Sequence, residues 1–138
     1  MNKRLFHKLL LPLALLTLLS LAKADEDRAN VTGMYFYASW CAACKTLEPK
    51  LEEAKSLASD NSFELVRFDV SNKAKQNASK LLAAELNLES MYEKIGVKSG
   101  IVVLVDTQTG KEIGRIKRSD APQAIAKKIA NAEESLKI

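Results

Sequence analysis

The chain predicts an α/β domain in which a central mixed sheet of four strands is flanked by helices. Three observations carry this. Met34-Tyr35-Phe36-Tyr37-Ala38 and Ile101-Val102-Val103-Leu104-Val105 are short runs of aromatic and aliphatic residues, and Phe63 to Val70 is a mixed segment with one apolar side, each of strand length. The segments between and after them repeat apolar residues every three or four positions, the period of a helix with one buried face. The resulting order is strand, helix, strand, helices, strand, strand, helix, and helices interleaved with strands cover the faces of a sheet. With 138 residues, 47% apolar and 28% charged, the chain suits one core and excludes collagen-like, low-complexity and disordered classes.

The first 24 residues stand apart. Met1 to Lys8 is cationic, Leu9 to Leu21 is apolar apart from Pro12, Thr17 and Ser20, and Ala22-Lys23-Ala24 places small residues where signal peptidase cuts. The apolar run is too short to compete as a membrane anchor, which needs roughly 20 residues. Residues 1–24 are therefore predicted to be a cleaved export signal, and no cysteine follows the run to carry a lipid. Lys3, Arg4, Lys8 and Lys23, with no acid among them, account for the whole net charge of +4. The remainder is neutral, so nothing argues for nucleic acid as a partner. Export also allows disulfides to form and persist.

Residues 25–33 are polar and read as a lead-in tether, leaving 34–138 as the folded domain. After the first strand, Cys44, Leu47, Leu51, Ala54, Leu57 and Ala58 mark a helix that Asp60-Asn61 closes and Pro49 should kink. Phe63 to Val70 alternates, with Phe63, Leu65, Arg67 and Asp69 on one side and Val66, Phe68 and Val70 on the other. A second helix is expected over Ala74, Ala78, Leu81, Leu82 and Leu86. A third, shorter one carries Leu88, Met91, Tyr92 and Ile95, with Gly96 as its stop. Ile101 to Val105 and the arm from Lys111 to Lys117 form a hairpin around the loop 106–110. Ser119 or Asp120 is expected to cap the last helix, with Pro122 in its first turn and Ile125, Ile129, Ala132 and Leu136 buried.

Cys41-Ala42-Ala43-Cys44 lies where the first strand ends and a helix begins. Unsatisfied amides and the macrodipole at a helix N-terminus favour an anion, so the Cys41 thiolate should be stabilised. One helical turn brings Cys44 within reach of Cys41, so one thiol can attack a disulfide and the other resolve the product. Other readings stay open here. A structural disulfide closing so short a loop removes little chain entropy. A zinc or copper(I) site would have only these two soft ligands, since beyond His7 the chain has no histidine and no further cysteine. Two unreactive buried cysteines are the third alternative.

Tyr37-Ala38-Ser39-Trp40-Cys41-Ala42-Ala43-Cys44-Lys45, with Pro49 five residues on, resembles the active-site segment of the thioredoxin family. The pattern of the remaining chain is similar as well: Arg67-Phe68-Asp69-Val70 looks like the next strand, Tyr92 to Val97 like the helix before the hairpin, and Ile101 to Lys117 like the hairpin itself. The resemblance implies a minimal thioredoxin-like fold with an added helix near 73–86. It makes Cys41 the attacking cysteine, Cys44 the resolving cysteine and Trp40 an aromatic platform beside them, with Lys45 and Pro49 as supporting positions. The Cys-Ala-Ala-Cys sequence is most similar to exported reductases and to thioredoxin-like domains of membrane electron transporters.

Four departures from the family accompany this. Tyr35 stands where the family has a buried acid that moves protons to and from the second cysteine, and a phenol with a pKa near 10 replaces it poorly. Ile101 stands where the family has a cis-proline beside the dithiol. A cis bond before a non-proline residue costs about 2.5 to 4 kcal/mol, so a trans peptide is expected there. The stretch 71–86 is extra, and the lead-in is too short for the family's usual first strand and helix. The implied activity is an exported, periplasmic thiol-disulfide oxidoreductase, reductase by preference, a monomer needing no cofactor or metal. Its partners would be protein thiols and disulfides, with a membrane thiol-disulfide transporter as candidate electron donor. A partner-binding or metal-binding module with little turnover is the alternative.

Overall fold

The computed structural model describes residues 29–57 and 63–137. Strand β1 (Val31–Tyr37) is followed by α1 (Ala42–Leu57), β2 (Phe63–Asp69), α2 (Lys73–Glu85), α3 (Glu89–Ile95), β3 (Ile101–Asp106), β4 (Glu112–Lys117) and α4 (Pro122–Ser135). The sheet order is β2-β1-β3-β4. β1 runs parallel to β2 and antiparallel to β3, and β3 and β4 form the antiparallel hairpin, with a register shift at Leu104/Val105. The mixed four-stranded sheet with helices on both faces is the thioredoxin-like architecture expected from the sequence.

Successive residues of a strand point to opposite faces, and β1 uses this to separate two layers. On one face Tyr35 lies beneath α1 with Glu48 and Leu51, and Leu104 lies beneath α4 with Ala132. On the other, Phe36 and Phe68 stack with Tyr92 of α3 at ring separations of 5.6 to 5.8 Å. Such pairs add about 0.5 to 1.5 kcal/mol each beyond their burial. The Tyr92 hydroxyl donates to the Gln76 carbonyl at 3.0 Å and ties α3 to α2.

The added helix is present, and its start has a local cause. Asn72 is extended, and its side-chain oxygen accepts the Lys75 amide at 3.0 Å, which satisfies one of the free amides of the first turn. Two expectations need correction. β1 opens at Val31, so Val31–Gly33 of the expected tether are sheet, paired with Phe63–Leu65 and Leu104–Asp106. The last helix is capped by Ala121 without a side-chain bond, neither Ser119 nor Asp120 serving. Asp120 instead accepts the Lys117 amide at 2.8 Å and the Lys128 ammonium at 2.7 Å, because the end of edge strand β4 and the Lys128 side chain of α4 both lie within its reach. Pro49 sits inside α1, which continues through it. The ring removes the one amide that would bond the Lys45 carbonyl. The predicted export signal and the Asp60-Asn61 helix end lie outside the described residues. Among the described residues no helix is long and apolar enough to cross a membrane.

Candidate redox site at the start of helix α1

Cys41 is the residue immediately before α1, and Cys44 lies in the first turn; the two are joined in a disulfide with Cα atoms 5.3 Å apart. The Cys44 amide donates to the Cys41 Sγ at 3.1 Å. This is the bond that a serine or aspartate makes when it caps a helix, with sulfur as the acceptor. A thiolate accepts it better than a thiol, so the geometry favours the charged form of Cys41 in the reduced protein. Cys44 is fully buried and its Sγ faces the Phe36 carbonyl at 3.9 Å, the acceptor available to its thiol once reduced. Cys41 is the more exposed of the two, but at only 6%. Cys41 is thus the more accessible sulfur, and the opening to it is narrow.

Gly100 explains that narrowness, and the sequence reading passed over it. Its amide donates to the Phe36 carbonyl at 2.8 Å, and its φ of +80° is a conformation that favours glycine. A Cβ built there would lie 2.6 Å from the Ala43 Cβ and 3.3 Å from the Cys41 Sγ. The backbone at Gly100 therefore rests directly against the dithiol. A Ser-Gly pair just before the most strand-like run was the available signal. Ile101 follows as the first residue of β3, paired with Phe36 and Lys117, and no peptide among the described residues is cis.

Trp40 is 65% exposed beside Cys41, so a core-packing role is excluded. Its indole Nε1 donates to the Ser71 carbonyl at 3.0 Å. Ser71 was not foreseen either, because its neighbours read simply as the turn before a helix. Lys45 is exposed one residue beyond Cys44, and Pro49 is exposed one turn further along.

Tyr35 does not join the dithiol. Its ring lies 6.1 Å from that of Tyr37, edge-on, and its side chain lines a small cleft with Glu48, Leu51, Glu52, Leu65 and Arg67. Arg67 pairs with Glu48 at 3.3 Å and covers the Tyr37 ring. The Tyr35 hydroxyl is buried without a hydrogen-bond partner in the described residues, and burial together with the Glu48 carboxylate pushes its pKa well above the usual value. It stays neutral and takes no proton near neutral pH. Among the described residues no group of three or more His, Cys, Asp or Glu is arranged to hold a metal.

Comparison with known proteins agrees with the site. The family model described as Thioredoxin matches residues 25–91, about half of the chain, covering β1, α1, β2 and α2. Thioredoxin H8 of Arabidopsis thaliana is 43% identical over 47 residues, which are 34% of this chain and 32% of that protein. The match thus spans about a third of that relative's length. Among solved structures, Trxlp from Edwardsiella tarda EIB202 is similar with a TM-score of 0.46 and 16% identity, over 73% of this chain and 82% of that one. With Cys-Ala-Ala-Cys capping the helix that leaves β1, on a β2-β1-β3-β4 sheet, and with the family model matching this very segment, the chain is similar to the thioredoxin family over residues 25–91.

Proposed function

We propose that this protein is an exported thiol-disulfide oxidoreductase that reduces disulfides of protein partners in the periplasm. The observation that carries the reading is the Cys41 sulfur set as the cap of α1, with Cys44 buried one turn behind it. In the reduced form the Cys41 thiolate attacks one sulfur of a partner disulfide. A mixed disulfide forms and the other partner sulfur leaves as a thiolate. Cys44 then loses its proton and attacks the Cys41 sulfur, forming the intramolecular disulfide and releasing the second partner thiolate. Two electrons pass to the partner, and the two thiolates take up protons. A membrane thiol-disulfide transporter supplying the dithiol electrons would close the cycle. Protein thiols and disulfides are the substrates, and the chain acts as a monomer without cofactor.

The test is reduction of insulin disulfides by the reduced protein. Cys41→Ser should abolish it, and Cys44→Ser should trap mixed disulfides that Cys41→Ser does not. Equal trapping by both variants would overturn the order of attack. The reduction potential of the pair decides direction: a value near roughly −270 mV supports a reductase and one near −120 mV an oxidase. Fractionation of cells expressing the chain with and without residues 1–24 tests export.

The trans peptide before Ile101 supports a narrow choice of partner, since that loop lacks the bend that would hold any extended peptide. We expect slow reduction of insulin, faster exchange with a dedicated partner, and a rise in insulin reduction for Ile101→Pro. Wild-type insulin reduction at the rate of an ordinary thioredoxin, unchanged by Ile101→Pro, would refute the narrow specificity.

A further inference from the structure

The turn that starts the added helix also grips the turn that carries the redox cysteine. Ser71 has every polar group engaged. Its amide and its hydroxyl both donate to Oδ1 of Asp69. Its Oγ accepts the Ser39 amide at 2.8 Å, and its carbonyl accepts the Trp40 indole at 3.0 Å. The direction of these bonds is forced by chemistry. A carboxylate only accepts, so Asp69 takes the single hydroxyl proton and leaves the lone pairs of Oγ for Ser39. Asp69 is itself fixed from behind, because its carbonyl accepts the Ser79 hydroxyl of α2 at 2.9 Å. Ser39 and Trp40 are the two residues immediately before Cys41, whose amide closes the same turn on the Ala38 carbonyl at 3.0 Å.

We propose that Ser71, oriented by Asp69, is a positioning residue for the redox reaction: it clamps the Ser39-Trp40 turn so that the Cys41 sulfur stays in line with the Cys44 amide. The clamp joins the added helix to the dithiol, since Asn72, the next residue, caps α2. It stands outside the helix that carries the cysteines and touches no sulfur, so it acts through the loop alone. The proposal rests on the reading of Cys41 as the attacking thiol.

The experiment measures alkylation of Cys41 against pH in a Cys44→Ser background, where only one thiol reacts. Ser71→Ala should slow alkylation at pH 6 about fivefold, the weight of one hydrogen bond, and move the profile to higher pH. Ser71→Thr keeps the hydroxyl and should restore both. A Ser71→Ala protein that is less stable yet keeps the original profile assigns Ser71 to the fold alone and overturns the proposal. Asp69→Asn retains the acceptor oxygen without its charge and should move the profile the same way by less. If Ser71→Ala does not fold, an unmoved profile in folded Asp69→Asn overturns the proposal equally. A different result marks failure of the redox reading itself: Cys41 with Ser71 intact reacting no faster at pH 6 than an ordinary free thiol, together with no reduction of insulin.

Discussion

Gly100→Ala puts a methyl group where the redox loop has no space for one, and its cost follows from two separate terms. At φ +80° an alanine meets the steric penalty of the left-handed region, about 1 to 2 kcal/mol. The new Cβ would also lie 2.6 Å from the Ala43 Cβ, closer than real Cβ contacts, and 3.3 Å from the Cys41 Sγ. Neither neighbour can swing aside, as one is a methyl fixed to a helix and the other a disulfide sulfur. Overpacking of this kind costs about 1 to 3 kcal/mol. Together the loss is about 2 to 5 kcal/mol, a large share of the roughly 5 to 15 kcal/mol that holds a small domain folded. Urea unfolding of the oxidised protein reads it as a lowered midpoint at unchanged slope. Ala43→Gly separates the terms, because it removes the atom in the closest contact. It should cost less in the Gly100→Ala background than in the wild type, with a coupling of about 0.5 kcal/mol or more. A loss under about 1 kcal/mol for Gly100→Ala, or strict additivity of the two changes, would refute the packing of this loop against the dithiol.

Tyr35→Phe removes a buried hydroxyl with no partner and leaves the ring in place, so stability should stay level or rise by about 1 kcal/mol; a loss of that size in thermal unfolding would show that the hydroxyl is bonded. The hydroxyls of Thr32 and Thr107 meet at 2.9 Å with both residues buried. Thr107→Val should therefore cost about 1 to 3 kcal/mol by orphaning Thr32, while Thr32→Val with Thr107→Val should recover most of it, and a double variant as unstable as the sum of the singles would contradict the pairing. Acid should destabilise the fold through Asp69 and Asp120. Burial raises both pKa values, but hydrogen bonds from Ser71 in one case and Lys128 in the other outweigh it and hold them below the usual carboxylate value. A lowered folded pKa gives stability that is complete above the unfolded value and is lost as pH falls through the folded one, so the decline should come below about pH 4. Asp120→Asn should flatten that decline, and an unaltered acid profile would remove Asp120 from the account.

What the sequence determined by itself was whatever depends on near neighbours. The period of Cys44, Leu47, Leu51 and Ala54 announces the buried face of α1, and those four residues are its buried positions. The apolar runs announce the strands, and Cys41-Ala42-Ala43-Cys44 at a strand-to-helix junction announces the redox pair, because two residues of spacing and one helical turn suffice to bring the sulfurs together. Tertiary structure decided what depends on chain distant in sequence. Val31–Gly33 looked like tether because their apolar content is thin, yet pairing with β2 and β3 on both sides makes them strand. Asp120 looked like a helix cap from its place before Pro122, but Lys128 and the Lys117 amide compete for it. Gly100 and Ser71 reach the site from 59 and 30 positions beyond Cys41. Their roles lie in a close backbone approach and in hydrogen bonds across the fold, neither of which leaves a period or a motif. Local propensity and spacing are written along the chain, whereas steric contact and hydrogen-bond partners exist only after folding has brought remote segments together.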